Sequence, residues 1–454
     1  MHTLEQLSSG ELNGAKRFRM AADLVEFPRQ LFELQESLEV LDLCDNQLTC
    51  LPDDFGRFKR LKAIFLFNNS FDHIPAVLRD CPELEVYGFR YNRITELDVN
   101  ALGDKLRWLI LTGNQLRKIP DEIGRFKKLQ KCMLAGNQLT ALPDDLRHCE
   151  SLELLRISAN QLKSFPECLF KLPKLTWLAY AGNPFCTDAE PDPQSLTSIP
   201  WSSLRVGEQL GKGASGNIYK AQWQRINTSE QVAVKVFKGD MTSDGSPMDE
   251  CRATVLAGSH PNLTPLLGAV TGHPEQKNGL VLGLIPAIYK NMAGPPDLQS
   301  CTRDTYPDGC VFTVSDTLTI AKTLVGVCQH LHSKGIMHGD IYPHNILLTD
   351  DAEILLTDFG AACIYDKEQT RLATHLERIE VRAFACALED MLLHITDDKN
   401  PEQHRLANAL NDLCRSCMQS VPAQRPLFSE IAQHLSDLDE LLYGLRANAA
   451  ASNC

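Results

Sequence analysis

From residue 38 to residue 175 apolar and polar positions keep a fixed step. Leu38, Leu61, Leu84, Leu106, Leu129, Leu152 and Leu175 mark it, at intervals of 23, 23, 22, 23, 23 and 23 residues. Eight residues after each stands an asparagine: Asn46, Asn69, Asn92, Asn114, Asn137, Asn160 and Asn183. LRWLILTGNQLRKIPDEIGRFKK, from Leu106, shows the whole unit as L-x-x-L-x-L-x-x-N-x-L-x-x-I-P. The alternation predicts one short strand per unit, with one face buried. The Asn side-chain amide suits the turn that follows, where backbone groups need partners. A single unit cannot bury its own apolar edge, whereas stacked units share one core. AKRFRMAADLVEFPRQLFELQES keeps the period poorly and is expected to cap the stack.

After Asn183 the step stops. PFCTDAEPDPQSLTSIP, rich in Pro, Ser and Asp, reads as a linker. A different pattern follows. LGKGASGNIYKAQW carries three glycines, Gly211, Gly213 and Gly216, with Ile218 behind them. VAVKVF is a β-branched strand holding Lys235, and DTLTIAKTLVGVCQHLHSKGIMHGD reads as an amphipathic helix. IMHGDIYPHNILLTDDAEILLTDFG sets Asp340, Asn345 and Asp358 between apolar runs. Glycines there let backbone N–H groups approach phosphate oxygens, and one lysine supplies a cation. A dinucleotide site would instead need a helix directly after the glycines and an acid about 20 residues on.

Composition narrows the classes only a little. The chain has 454 residues, 43% hydrophobic and 23% charged, and a formal net charge of −13, which argues against a general nucleic-acid binder. MHTLEQLSSGELNGAKRF lacks a basic stretch followed by an apolar core, so no secretory signal is expected. No run of about 18 apolar residues occurs, so no membrane span is expected. Sixteen scattered Cys, including the lone pair Cys414 and Cys417, suit reduced, buried thiols and a cytoplasmic setting.

The first half resembles the leucine-rich repeat family, on seven units in register over roughly residues 15–190. The resemblance implies an α/β solenoid with its strands on the concave side. That face would carry Phe65, Phe67, Arg90, Tyr91, Trp108, Ile110, Met133, Arg156 and Trp177. Phe65, Phe67, Tyr91, Trp108 and Trp177 are the candidate contacts for a protein partner or for the chain's own second domain.

The second half resembles protein kinase domains, through GKGASGNIYK, VAVK, HPN, DFG and RPLFSEI. That implies an α+β bilobal fold using ATP with Mg²⁺ or Mn²⁺. Asp340 matches the catalytic Asp, Lys235 the lysine on the α/β-phosphates, and Asn345 and Asp358 the metal ligands. Asp249 and Glu250 both lie where the partner of Lys235 belongs, with Glu250 preferred. Leu210, Gly211, Lys212, Gly213, Ala214, Ser215, Gly216, Asn217, Ile218, Ala233, Leu282 and Leu347 match the nucleotide site, Leu282 as gatekeeper. The expected division is a segment 1–14, a solenoid 15–186, a linker 187–203, a kinase domain 204–442 and a tail 443–454.

Several positions depart from that pattern. Gly339 replaces the Arg that receives an activation-loop phosphate, and Tyr342 replaces the Lys on the γ-phosphate. No Ala-Pro-Glu follows Asp358-Phe359-Gly360. Glu380 stands where an Asp is usual, only 22 residues after Asp358. Arg425 would need Glu377 or Glu380 as a substitute partner. HGDIYPHNIL also resembles the aminoglycoside and choline phosphotransferases. Three functions stay open: a protein kinase, Ser/Thr-directed by default; a pseudokinase scaffold binding through the repeats; and a small-molecule phosphotransferase.

Overall fold

Three-residue strands recur at the period of the leucines. The computed structural model describes residues 1–186, 196–213, 215–238, 242, 244–395 and 400–452, with side chains through residue 440. Two units cluster separately. One is Met1–Leu175 with Gly182–Phe185 and Ser243–Gly245; the other is Thr176–Ala181 with Cys186–Thr242 and Ser246–Cys454. Most of the expected linker, residues 187–195, lies outside the described residues, as does Ala214.

The first unit opens with helix α1 (Leu4–Ser8), whose start is closed by a reciprocal pair of bonds between Thr3 and Gln6. Strands β1 (Arg17–Arg19), β2 (Val40–Asp42), β3 (Ala63–Phe65), β4 (Val86–Gly88), β5 (Trp108–Ile110), β6 (Lys131–Met133) and β7 (Leu154–Arg156) follow. Each pairs in parallel with the next, so that Leu41, Ile64, Tyr87, Leu109, Cys132 and Leu155 fall in one buried row. Between strands the chain returns through short 3₁₀ turns, several entered by a proline such as Pro120, Pro143 or Pro166.

The asparagines form a ladder. Asn114 accepts from the Ile94 amide at 3.0 Å and donates to the Phe89 and Leu111 carbonyls at 2.8 and 3.0 Å. Asn137 repeats the arrangement on Leu116, Leu111 and Leu134. All seven asparagines are buried. Beside this ladder Phe65 meets Phe67 edge-on at 5.5 Å, Arg90 lies over the Tyr91 ring and Lys131 over that of Trp108. These four aromatics are half-buried. Arg156, expected on the open face, is buried and holds Asp244 at 2.6 Å within the same unit.

The second unit contains β8 (Trp177–Ala179) and a six-stranded sheet built from β9 (Ser198–Pro200), β10 (Leu204–Lys212), β11 (Gly216–Gln224), β12 (Ser229–Phe237), β13 (Leu266–Thr271) and β14 (Gly279–Gly283). Its order is β10-β11-β12-β14-β13-β9, with helix α2 (Pro247–Ala257) between β12 and β13. Val232, Val234, Val281, Leu204 and Ile199 form the core of that sheet. The remainder is mainly helical: α3 (Val314–Ser333), α4 (Thr370–Leu393), α5 (Pro401–Cys417) and α6 (Phe428–Ser452). Short strands β15 (Lys290–Asn291), β16 (Ile336–Met337), β17 (Ile346–Leu348), β18 (Ile354–Leu356) and β19 (Cys363–Ile364) lie among them. Helix α6 extends through residues 443–452. Cys414 and Cys417 are buried thiols pushed up to about 12 by burial, which makes them inert. Among the described residues no helix is long and apolar enough to cross a membrane.

Replacing Asn114 or Asn137 by Ala strands buried backbone groups on two neighbouring repeats. Each change is expected to lower stability by about 1–3 kcal/mol, read by urea denaturation of the first unit's transition. An unchanged curve would contradict the ladder's role.

Candidate functional site

The glycine loop forms because β10 and β11 turn back on each other tightly. Gly211 pairs with Ile218 and Lys212 with Asn217, and the Gly213 amide donates to the Gly216 carbonyl at 2.9 Å. A Cβ on Gly216 would stand 2.7 Å from the Val236 carbonyl oxygen, so only glycine packs there. A Cβ on Gly211 would meet nothing within 4 Å, which leaves open space beside the backbone there. Leu210 is exposed, and Ser215 is buried.

Strand register carries the next residues into place. Lys235 lies opposite Ile218 on one side and Leu280 on the other, and Ala233 lies opposite Leu282. Helix α2, started by Ser246 and Pro247, buries Glu250 and presents it to Lys235, with which it forms an ion pair. Burial raises the Glu250 carboxyl above its ordinary range, and the Lys235 charge opposes that rise. Asp249 instead faces Arg252 at 3.4 Å. Of the two acids weighed from the sequence, Glu250 meets the lysine.

A turn between β16 and β17 brings the opposite wall. The Asn345 side-chain amide donates to the Asp340 carbonyl at 3.0 Å and to Asp340 Oδ2 at 2.8 Å. Asn345 therefore turns its nitrogen to Asp340 and its Oδ1, a hard oxygen, away from that pair. Asp358 has a left-handed backbone, φ 59°, and its Oδ1 accepts from the Gly360 amide at 3.0 Å, leaving Oδ2 as a second hard oxygen. This donor set fits Mg²⁺ or Mn²⁺. Leu347 pairs with Leu355 across β17 and β18, and Thr357 ties that hairpin to the Asn345 carbonyl. Asn262, of the HPN stretch, donates to the Ile354 carbonyl at 3.0 Å and so anchors the same hairpin.

Beneath the turn runs a buried polar chain. Glu380 accepts from the Gly339 amide at 2.8 Å, and its other oxygen lies 2.8 Å from His332 Nε2. His332 Nδ1 lies 2.7 Å from the Tyr365 hydroxyl. Glu380 thus fixes the backbone just before Asp340. Arg425 is buried. Its guanidinium donates to the Gln419 and Arg378 carbonyls, while Glu377 accepts from the Phe428 amide. Burial lowers Arg425 to about 9. These carbonyls belong to Gln419, just past α5, and to Arg378, within α4.

Two contacts escaped the sequence reading. Asp304 accepts from the His344 backbone amide at 2.7 Å and holds His344 Nδ1 at 2.8 Å. It lies 40 residues from His344, in an irregular stretch without periodicity, so no pattern could pair them. Trp177, a candidate contact for a partner or for the chain's own second domain, is 1% exposed and stacks on Tyr342 with ring centroids 4.0 Å apart. The alternation left open what covers this side of the strand, and Tyr342 covers it within the second unit.

The protein kinase domain family matches residues 204–378, and leucine-rich repeat families match residues 37–58 and 104–162. The chain therefore carries leucine-rich repeats followed by a protein kinase domain. Among relatives, Fibroblast growth factor receptor 1 of Pleurodeles waltl is 24% identical, over 53% of this chain and 34% of the receptor. Serine/threonine-protein kinase PknK of Mycobacterium tuberculosis is 30% identical, over 37% of this chain and 14% of that kinase. The chain thus spans far less than two thirds of these relatives. A solved leucine-rich repeat protein of Leptospira interrogans is 27% identical, over 36% of this chain and 48% of that one, with a TM-score of 0.32.

His344 provides a pH test. Burial alone would lower its imidazolium, but Asp304, then Asp340 and Asp358, outweigh that and raise it above the ordinary value. A raised histidine contributes stability that is complete below its unfolded pKa, about 6.5, and is lost as pH rises through the folded value. NMR titration is expected to place His344 above that unfolded value, and Asp304→Asn to bring it back down. An unmoved titration in that variant would contradict the pairing.

Proposed function

We propose that this chain is an ATP-dependent protein kinase, directed to Ser or Thr hydroxyls, with its repeats as a protein-interaction module. The observation that supports it is the joint arrangement of the Lys235–Glu250 ion pair, the Asp340–Asn345 pair and Asp358. Dead relatives of the fold need not keep all five groups in register; a working phosphotransferase does.

In this reading Asp340 orients the acceptor hydroxyl and takes its proton as the oxygen attacks the γ-phosphorus. The bond to the β–γ bridging oxygen breaks, and ADP leaves. Lys235, fixed by Glu250, holds the α/β-phosphates. The glycine stretch from Leu210 to Ile218 covers the phosphates with backbone amides, while Ala233, Leu282 and Leu347 enclose the adenine. Asn345 and Asp358 would hold Mg²⁺ or Mn²⁺, which when bound offsets charge on the phosphate oxygens. Phe65, Phe67, Tyr91 and Trp108 make the half-buried aromatic surface suited to a protein partner. Cysteines scattered singly through both halves suit a reducing, cytoplasmic setting.

Three variants test this. Asp340→Asn is expected to cut turnover by about 10²–10⁴-fold with ATP binding largely intact. Lys235→Met should weaken nucleotide positioning as well as rate, and Asp358→Asn should change the metal dependence. Labelled ATP with protein and small-molecule acceptors reads all three. Label only on a small acceptor would replace this reading with a small-molecule phosphotransferase. Nucleotide binding without any transfer would make the domain a pseudokinase scaffold.

Phosphatase-treated enzyme is also expected to keep most of its rate. Gly339 has no cation for a phosphate, and Tyr365 is buried on His332. A loss of about tenfold or more, equivalent to about 1.4 kcal/mol, would refute this.

A further inference from the structure

We infer that Trp177 is a positioning residue for phosphoryl transfer, and that the segment Thr176–Ala181 braces the catalytic turn from within the second unit. The inference rests on the kinase reading above.

Four contacts carry it. The Trp177 ring stacks on Tyr342 at 4.0 Å with 9° between the planes. Its Nε1 donates to the Ile341 carbonyl at 2.9 Å, so that one side chain grips two consecutive residues directly after Asp340. A Cβ on Gly339 would stand 2.5 Å from the Leu178 carbonyl oxygen and 2.6 Å from that of Ala361. The Tyr180 amide lies 3.1 Å from Cys363 Sγ, on the strand that follows Asp358-Phe359-Gly360. Trp177, Leu178, Tyr180, Ile341 and Tyr342 are all buried.

These contacts account for both departures in the turn. Residue 339 is glycine because Leu178 and Ala361 leave no room for a side chain, and its φ of 73° excludes most others. Residue 342 is an aromatic because it receives the Trp177 ring. In kinases of the usual pattern, an arginine at the first position answers a phosphate on a long activation segment. Here the segment between Asp358 and α4 is short, and a strand takes the place of that support. The stack is fully buried and hydrogen-bonded, which suits a permanent brace rather than a releasable cover.

The test uses the full chain with Trp177→Ala and Trp177→Phe. Amide hydrogen exchange and kinetics with labelled ATP are read on each. Trp177→Ala is expected to raise exchange of the amides from His338 to Asn345 with the glycine loop unchanged. It should also lower kcat by about tenfold or more with the KM for ATP within about twofold, because small displacements of a reacting group are costly. Trp177→Phe keeps the stack and should retain more kcat than Trp177→Ala. Unchanged exchange in the turn, exchange rising equally throughout the second unit, or a kcat that rises would each overturn the inference. Should Trp177→Ala not fold, Trp177→Phe decides alone: a rise in exchange confined to the turn supports the brace, and none overturns it. If the wild-type chain transfers no phosphate to any acceptor, the kinase reading fails by itself, while the exchange measurement still decides whether Trp177 holds the turn.

Discussion

A glycine with no space beside it sets the geometry of the second unit. Gly339 is bonded through its amide to Glu380 on α4, and two carbonyl oxygens stand where its side chain would be. Its left-handed backbone then delivers Asp340 toward Asn345, and Asn345 in turn fixes Thr357 immediately before Asp358. Each link is a short hydrogen bond in a buried place, where a missing partner costs more than the bond itself is worth. The turn that carries Asp340 and Asn345 is therefore fixed by backbone groups at Gly339 and Asn345 as well as by the side-chain bond between the two.

The legible part of the chain is the part ruled by local repetition. Seven leucine–asparagine steps specify strands β2 to β8 almost residue by residue, because the same spacing recurs in each unit. The kinase-like stretches GKGASGNIYK, VAVK and DFG were legible for another reason, their spacing along the chain, and the Lys235–Glu250 and Asp340–Asn345 pairs bring them together. Glu250 could be separated from Asp249 only by the direction of α2, one residue turning the side chain by about 100°. What stayed hidden was nonlocal. Asp304 reaches His344 from an irregular stretch, and Arg425 settles among carbonyls that no residue type announces. For Trp177 alternation tells which side the residue takes, but not which of its two candidate coverings, a partner or the second domain, it meets.

The two halves of the molecule use buried polarity differently. In the repeats, identical asparagines serve equivalent positions, so each contributes a similar share. In the second unit, Tyr365, His332, Glu380 and Gly339 form one chain of unlike groups, each with a single place to go. The first arrangement tolerates variation in the residues between asparagines; the second ties the rear of the catalytic turn to the first residues after β19.

The asparagine ladder is also a matter of address. Asn114 accepts from Ile94 and donates to Phe89, both in the repeat before its own, and Asn137 reaches back to Leu116 and Leu111 in the same way. Each also donates within its own repeat, to Leu111 and Leu134. Harm done at one asparagine is therefore felt both in its own repeat and one repeat toward the N-terminus, where no residue has changed. A map of protease sensitivity or exchange along the repeats then shows a signal two periods wide, with the altered residue in its C-terminal half.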